Sequence, residues 1–259
     1  MPPIRLAILE ADTPVPNTNA KYNGYFGVFS HLLARAVSPA PLDSVFTLSG
    51  HDVVNSPSPS SYPNLDEIDA ILITGSKHNS FEDDPWILSL VEFTRKALTH
   101  PRVRVIGICF GHQIVARAMG CLVARSNAGW EVSVTETTLT EKGKEIFGGR
   151  ESLKIQQMHR DQVYGTPAGA TRLASTEKCP NHGFFVPGRV ITVQGHPEFT
   201  AEIMQEILDL RRGAVIPEEV YQSGIDRNGD DHDGVFMTKA FVRFLQDDTP
   251  KTTGTELES

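Results

Sequence analysis

Residues 103–120 read VRVIGICFGHQIVARAMG, and this stretch decides the fold. Val103–Ile108 is an apolar, β-branched run typical of a buried strand, and Ile114–Met119 has the composition of a helix that closes at Gly120. Cys109 lies between the two, in the pattern Gly-x-Cys-x-Gly. Small residues on both sides let the backbone bend sharply, so the stretch predicts a strand-turn-helix elbow that presents a thiol above the edge of a sheet.

A thiol at such a turn has the surroundings of a nucleophile. The helix directs the positive end of its dipole at the sulfur of Cys109, which favours the thiolate. The backbone N–H of Phe110, which starts the helix, is free to stabilise an oxyanion. A lone cysteine is more often a small buried core residue, so the turn by itself leaves that alternative open.

Strands and helices alternate through the first half of the chain. Apolar, β-branched runs predict buried strands, and longer amphipathic runs predict helices. This rhythm predicts an α/β protein with a three-layer α/β/α arrangement around an open, mostly parallel sheet. Strands are predicted at Ile4–Glu10, Ser44–Ser49 and Asp69–Thr74, and helices at Gly24–Val37 and Trp86–Leu98.

From residue 121 to residue 194 the segments become shorter and are separated by polar turns. The pattern predicts a small antiparallel extension, together with return strands of the same sheet. The predicted strands are Cys121–Arg125, Trp130–Thr137, Leu153–Met158, Thr171–Ser175 and Val190–Gln194, and the last helices are Ala201–Arg212 and Val235–Gln246.

The length of the chain, 259 residues of which 39% are hydrophobic, is enough to bury the core of one large domain. We expect this domain to span residues 1–246. Asn55–Asn64 is rich in Pro and Ser and is predicted to be a surface loop. Residues 247–259 are polar and are predicted to form a disordered C-terminal tail.

The formal net charge is -8, and the basic residues are not clustered. Binding to nucleic acid or to an anionic membrane depends on cations that neutralise phosphate, so neither partner is expected and a small-molecule substrate fits better. Residues 1–16 lack a basic segment followed by a long apolar stretch, so they predict neither a signal peptide nor a membrane-spanning helix. We therefore expect a cytoplasmic protein.

The composition gives no indication of a disulfide framework, a metal or a cofactor. Cys109, Cys121 and Cys179 are odd in number and lack zinc-type spacing. Asp226–Gly234 has the acidic spacing of a calcium loop, but Asp231 stands where such a loop needs glycine, so the segment is predicted to be a solvated loop. We predict no metal site and no cofactor.

A second segment with catalytic residue types begins at the end of a predicted strand. Val193–Phe199 reads VQGHPEF, in which His196 and Glu198 project on one side of an extended chain. His196 would act as general base and acid toward Cys109, and Glu198 would fix its tautomer. Because the chain has nine histidines, His196 by itself is weak evidence for catalysis. The His-Glu segment and the cysteine elbow both lie at strand ends, and together they predict a catalytic triad.

The segments GICFGHQ (107–113) and GHPEF (195–199) resemble the two signatures of class I glutamine amidotransferases, the glutaminase partners of enzymes such as GMP synthase and carbamoyl-phosphate synthetase. The resemblance extends over residues 4–210. It implies a flavodoxin-like fold and a Cys-His-Glu triad that cleaves a γ-glutamyl amide.

The same resemblance implies an oxyanion hole. In the family a Gly-rich turn supplies the second oxyanion amide, and Thr74–Lys77, which reads TGSK, occupies its place. The amide of Gly75 or of Ser76 would act together with that of Phe110. Because the family commonly has S-G-G-P or N-G-P at this turn, the choice between the two amides is left open.

Residues that bind the substrate are also implied by the resemblance. Gln113 matches a family glutamine that hydrogen-bonds the glutamyl group, although it could equally cap the start of the helix. Met158–Val163, which reads MHRDQV, is similar to the family segment S-H-G-D-x-V, which holds the α-amino and α-carboxylate groups. His159, Arg160 and Asp161 are thus predicted to bind substrate, with Asp161 pairing the ammonium, or else to form only a turn between strands. Arg160 replaces a glycine that allows close approach of the backbone.

The triad residues predict a cysteine-dependent hydrolase that works through a thioester intermediate, and the resemblance implies that its substrates are γ-glutamyl amides. The sequence lacks the G-x-x-x-x-G-K-[ST] loop of an ATP-dependent synthetase, so we expect a lone glutaminase-like module. Arg160 favours a γ-glutamyl peptide or conjugate over free glutamine. Two alternatives stay open: a glutaminase subunit that delivers ammonia from glutamine to a separate synthetase, and a non-catalytic binding or regulatory protein on the same fold.

Overall fold

Strands and helices alternate along most of the structure, a computed structural model that describes residues 2–55 and 58–247. The strands are β1 (Ile4–Glu10), β2 (Phe46–Asp52), β3 (Ala70–Ile73), β4 (Arg104–Ile108), β5 (Leu122–Arg125), β6 (Glu131–Leu139), β7 (Ser152–His159), β8 (Asp161–Tyr164), β9 (Thr171–Arg172), β10 (Ala174–Ser175), β11 (Phe184–Val186) and β12 (Val190–Val193). The helices are α1 (Pro16–Tyr22), α2 (Tyr25–Val37), α3 (Leu42–Val45), α4 (Pro85–Thr99), α5 (Phe110–Ala118), α6 (Glu141–Ile146), α7 (Ala201–Arg211), α8 (Glu218–Asn228) and α9 (Gly234–Gln246).

Seven of the described strands form one central sheet, in the order β2-β1-β3-β4-β12-β11-β9. The strands from β2 to β12 in this order are parallel, β11 pairs antiparallel with β12, and β9 pairs antiparallel with β11. This is the predicted open, mostly parallel sheet. Ile73 of β3 lies beside Gly107 of β4, and Val193 of β12 lies beside Ile108, so the carboxyl ends of three strands meet at one edge.

Alternate residues of the central strands face two separate hydrophobic cores. Leu6 and Ile8 of β1 lie in the core that contains α2, α7 and α9, whereas Ala7 and Leu9 lie in the core that contains α4 and α5. Successive side chains of a strand point to opposite faces of the sheet, which accounts for this division. Helices on both faces give the predicted three-layer α/β/α arrangement.

The predicted strands between residues 121 and 194 do not all return to the central sheet. β6 and β7 pair with each other and, with β10, form a separate sheet, while β5 pairs with β8 in another. These strands are the predicted antiparallel extension. The long ribbon of β6 and β7 twists strongly and packs against α8 and α9 instead of joining the central sheet. The sequence does not predict β8 and β11.

Helices α1 and α8 lack the apolar periodicity that predicts a helix. α1 reads PNTNAKY, and α8 reads EEVYQSGIDRN with Gly224 inside it. A Cβ at Gly224 would lie 2.9 Å from Leu208 Cδ2, so the glycine lets α8 approach α7 closely. α8 extends to Asn228, and the first residues of Asp226–Gly234 are therefore helical, which corrects the prediction of a solvated loop there.

Parts of the predicted loop and of the predicted tail lie outside the described residues. α9 ends at Gln246, the last residue of the predicted domain. Residues 248–259 of the predicted tail and residues 56 and 57 of the predicted surface loop lie outside the described part, and Pro59–Ser61 forms a 3-10 turn. Among the residues described, none of the helices combines the length and the apolar character that crossing a membrane requires.

Gly111 determines how closely α5 approaches the central sheet. A Cβ at this position would lie 2.2 Å from the carbonyl oxygen of Ile73 in β3. We expect Gly111→Ala to lower the free energy of unfolding by ~1–3 kcal/mol, because backbone has to move to accommodate the methyl group. Urea unfolding followed by circular dichroism measures the change. Gly229→Ala is the matched control, since a Cβ at Gly229 meets no atom within 4 Å; equal stability of the two variants would contradict the prediction.

Candidate active site

Cys109 occupies the predicted turn between β4 and α5 in a strained conformation. Its backbone has φ 50° and ψ -103°, although the residue is not glycine. A Cβ at Gly107 would lie 2.7 Å from the carbonyl oxygen of Gly111, so the turn requires small residues. Strained backbone of this kind costs ~1–3 kcal/mol and is concentrated at functional sites. The turn places the sulfur at the edge where β3, β4 and β12 end.

His196 and Glu198 follow β12 and are buried together beside Cys109. His196 Nδ1 is 2.8 Å from Glu198 Oε1, and the ring of Phe199 stacks on the imidazole with 4.0 Å between the centroids. The backbone N–H of His196 donates to the carbonyl of Gln156 at 2.8 Å, which fixes the main chain. Because the carboxylate accepts, Nδ1 carries the proton, and Nε2 is the atom that can exchange a proton with Cys109.

Negative charge raises the pKa of His196 well above its ordinary value. Burial by itself would lower this pKa, but the charges of Cys109 and Glu198, with hydrogen bonds to both, outweigh it. The direction of the shift favours an imidazolium at His196. The thiolate is the nucleophilic form of cysteine, so the arrangement suits attack on a carbonyl carbon.

The other two thiols have different surroundings. Burial raises the pKa of Cys121, and burial together with the charge of Glu131 raises the pKa of Cys179 to about 12. Both thiols therefore stay protonated near neutral pH, and Cys179 donates to the carbonyl of Asn181. Of the three cysteines, Cys109 is the one whose surroundings favour nucleophilic chemistry.

Gly75, Ser76 and Phe110, the residues predicted for the oxyanion hole, lie around the sulfur. A Cβ at Gly75 would lie 2.6 Å from His196 Cε1 and 3.7 Å from Cys109 Cβ, so the absence of a side chain makes room for the imidazole. Ser76 and Phe110 line the same cavity as Cys109. Phe110 is the first residue of α5, where a helix leaves backbone N–H groups unpaired. The choice between the Gly75 and Ser76 amides stays a prediction.

A cavity of about 870 Å³ brings most of the predicted site residues together. Ligand pockets have volumes of roughly 300–1,000 Å³, so this one would accept a molecule larger than a single amino acid. Gly75 and Glu198 are outside its lining. The predicted residues that line it are Ser76, Cys109, Phe110, Gln113, His159, Arg160, Asp161 and His196.

Gln113 lies in a buried chain of hydrogen bonds that ends at the sulfur. The carbonyl oxygen of Asp161 can only accept, so the group of Gln113 that faces it at 3.0 Å is the donor Nε2. Ser80 Oγ donates to Gln113 Oε1 at 2.7 Å, in agreement with this orientation. The side-chain amide of Gln113 is thus engaged within the protein, and its hydrogen bond to a substrate stays a prediction.

Gln194, which is not among the residues predicted from the sequence, takes its orientation from Gln113. Gln113 Nε2 also donates to Gln194 Oε1 at 3.0 Å, so the other group of that amide, Gln194 Nε2, donates to Cys109 Sγ at 3.5 Å. The carbonyl of Asp161 therefore determines, through two amides, that a donor faces the sulfur. The signal in the sequence is that Gln194 lies two residues before His196 in the same extended segment.

Asp161 and Arg160 lie on the cavity wall with partners that the sequence does not predict. Arg125 Nε is 3.2 Å from Asp161 Oδ1. The guanidinium carbon of Arg160 is 5.0 Å from the centre of the Trp130 ring, and both residues line the cavity. The long side chain of Arg160 thus forms part of the wall, and its role in binding substrate stays a prediction.

His159 belongs to a buried cluster with Glu131 and His182. Both imidazoles approach Glu131 Oε2, at 3.1 Å from His159 Nε2 and 2.9 Å from His182 Nε2. Burial alone would raise the pKa of Glu131, but hydrogen bonds from the two histidines lower it, so the carboxylate stays ionised. Glu131, His182 and Cys179 have ligand-type atoms within 4.8 Å of one another, yet each has a hydrogen-bond partner in the protein. The expectation of no metal site stays a prediction.

The strand order, the cysteine turn and the His-Glu segment together define the class of protein. The family model described as glutamine amidotransferase class-I matches residues 41–211. The chain belongs to the class I glutamine amidotransferase family, and the resemblance seen in the two sequence signatures is confirmed.

Some relatives are named for glutamine amidotransfer and others for γ-glutamyl peptide hydrolysis. A Schizosaccharomyces pombe protein named as glutamine amidotransferase-like is 36% identical over 245 residues, which cover 93% of this chain and 98% of the relative. Gamma-glutamyl peptidase 3 of Arabidopsis thaliana is 34% identical over 211 residues, which cover 79% of this chain and 81% of the relative. A solved glutamine amidotransferase structure from Thermotoga maritima is 17% identical with a TM-score of 0.70, covers 94% of this chain and 99% of its own, and confirms the predicted fold.

Gln194→Leu tests the donor that faces the sulfur. We expect alkylation of Cys109 by iodoacetamide at pH 7 to slow by about tenfold or more, because a hydrogen bond to a charged group contributes roughly 1.5–3 kcal/mol. Mass spectrometry of the alkylated peptide gives the rate at Cys109 itself. Gln222→Leu removes an exposed glutamine that donates to Asp226 and should react like the unaltered protein. An unchanged rate in Gln194→Leu would rule out this role.

Proposed function

We propose that the protein is a cysteine-dependent hydrolase of γ-glutamyl amide bonds that acts on γ-glutamyl peptides or conjugates. The observation that carries the proposal is the arrangement of Cys109, in its strained turn, beside a buried imidazole whose Nδ1 is 2.8 Å from the Glu198 carboxylate. In this proposal Cys109 is the nucleophile, His196 is the base, and Glu198 orients the base. This complete set of competent residues disfavours a purely binding or regulatory role.

The reaction would proceed through a thioester. The Cys109 thiolate attacks the γ-carbonyl carbon, and the oxyanion accepts hydrogen bonds from the amide of Phe110 and from that of Gly75 or Ser76. The His196 imidazolium gives its proton to the leaving amine as the C–N bond breaks. His196, now neutral, takes a proton from water, whose oxygen attacks the thioester. Glutamate leaves, and the thiolate and imidazolium are restored.

The size of the cavity supports a peptide or conjugate rather than free glutamine as the substrate. Its volume of about 870 Å³ exceeds what one amino acid fills, and Arg160 forms part of its wall. Asp161 is at the same wall, where its carboxylate would pair with the ammonium of the glutamyl group. Relatives in Arabidopsis thaliana that carry the name gamma-glutamyl peptidase support the same substrate class.

The experiment is to incubate the purified protein, without a partner, with glutathione, with a γ-glutamyl dipeptide and with glutamine. Free glutamate and ammonia are then quantified. We expect cleavage of the γ-glutamyl peptides to exceed cleavage of glutamine. Cleavage of glutamine alone, or of none of the three, would contradict the proposal and point to a separate synthetase that receives ammonia.

Removal of the sulfur tests the nucleophile. We expect Cys109→Ala to reduce glutamate release by at least about a thousandfold, because binding and oxyanion stabilisation alone supply only a small part of the rate. Cys121→Ala and Cys179→Ala are the controls and should keep most of the activity, since the raised pKa values of both thiols disfavour their nucleophilic form. Circular dichroism of each variant separates lost chemistry from lost folding. Retained turnover in Cys109→Ala would overturn the triad.

A further inference from the structure

The cavity beside Cys109 is lined by both paired and unpaired cations. Lys77 and Arg125 form ion pairs with carboxylates of the same cavity, at 2.8 and 3.2 Å. Arg160 and Arg211 also line the cavity, but neither forms an ion pair with any residue that the structure describes. The chain as a whole has a formal charge of -8, whereas the lining of this cavity has four Lys and Arg residues against two carboxylates. This excess of positive charge would attract an anion.

Arg211 is the last residue of α7, and its guanidinium is partly withdrawn from water. Burial lowers its pKa, and the charges of Tyr25, Cys109 and Asp12 act in the opposite direction without forming an ion pair with it. The next residue provides a contrast, because Arg212 is exposed and pairs with Glu218 at 2.6 Å. A partly desolvated cation without a partner is unfavourable, and an incoming anion would relieve that cost.

Arg211 and the predicted glutamyl-binding residues reach the cavity from opposite faces of the central sheet. α7 packs in the core that contains α2 and α9. β5 and β8, which carry Arg125 and Asp161, pack in the core that contains α5. Cys109 is at the sheet edge between the two faces. A substrate whose glutamyl group binds at Asp161 would therefore extend its leaving group toward Arg211.

The chemistry of the leaving group then decides which substrates can use Arg211. Glutamine releases ammonia, which does not extend beyond the reacting carbonyl. A γ-glutamyl amino acid or peptide releases an amine with its own carboxylate, so that the substrate has two carboxylates and the cavity has two unpaired arginines. Leu210 and Val215, which are exposed large apolar residues in the same lining, would contact the side chain of the released residue.

We propose that Arg211 binds the carboxylate of the leaving amino acid, and that the substrates are γ-glutamyl amino acids or short peptides with a free carboxylate near the scissile bond. The inference rests on the γ-glutamyl hydrolase function proposed above. A guanidinium can pair with a carboxylate through two parallel hydrogen bonds, which gives direction as well as affinity. Arg211 would thus select among γ-glutamyl compounds without taking part in bond cleavage.

The test compares γ-glutamyl-leucine with γ-glutamyl-leucinamide, which differ in the charge of the leaving group. For the full chain we expect kcat/KM for the acid to exceed that for the amide by roughly 10- to 100-fold, mainly through KM. Arg211→Gln should remove most of this preference by lowering kcat/KM for the acid, and Arg211→Lys should keep part of it. Arg212→Gln, the matched control at the neighbouring exposed arginine, should keep all of it.

Binding of the same two compounds to the Cys109→Ala protein, measured by calorimetry, separates this inference from the proposed activity. Cleavage of both compounds with equal kcat/KM would overturn the carboxylate site and leave the hydrolase intact. Absence of cleavage, together with tighter binding of the acid that is lost in Arg211→Gln, would overturn the hydrolase and support the site. Equal affinity for the two compounds would overturn the site whether or not they are cleaved.

Discussion

The backbone turn at Cys109 is the constraint on which the arrangement of the site depends. A positive φ at a residue other than glycine costs ~1–3 kcal/mol and persists only where the surroundings hold both arms of the turn. β4 holds one arm through its pairing with β3 and β12, and α5 holds the other through the contact of Gly111 with Ile73. The two neighbouring strands β3 and β12 also lead into Gly75 and His196. The strained turn at Cys109 and the groups proposed to act with its sulfur therefore lie at the same sheet edge.

Burial makes the polar contacts of the site decisive for protonation and orientation. His196 is buried, and the charges of Glu198 and Cys109 outweigh the burial that would otherwise keep its imidazole neutral. The carbonyl of Asp161 fixes the orientation of the Gln113 amide, which in turn fixes the Gln194 amide so that its N–H group faces the sulfur. A buried polar group that loses its partner costs ~1–3 kcal/mol, so each member of the chain holds its neighbour in a single orientation. The groups around the sulfur are therefore oriented before a substrate binds.

Local signals in the sequence are enough to predict the central strands, the turn at Cys109 and the position of His196 and Glu198 after a strand. Helices α1 and α8 escape prediction because their polar sequences lack periodicity. The antiparallel extension is predicted, but the pairing of strands within it is not, because the partner of a strand depends on packing, here against α8 and α9. The roles inferred for Gln194 and Arg211 cannot be predicted from the sequence, because they depend on neighbouring groups that come from other elements. A glutamine in an extended segment and an arginine at the end of a helix are ordinary features of a sequence until the fold brings their neighbours close.

The proposed catalytic groups and the proposed binding groups come from different parts of the fold. The nucleophile, its base and the oxyanion amides follow β3, β4 and β12, whose order keeps them together whatever the substrate. Asp161, Arg125 and Arg211 come from β8, β5 and α7, which lie outside the central strands and on opposite faces of the sheet. Changes in these peripheral elements can alter the size and charge of the cavity without disturbing the turn at Cys109. One family can therefore include proteins named for amidotransfer and proteins named for peptide hydrolysis, and the charged residues around the cavity are where the two are expected to differ.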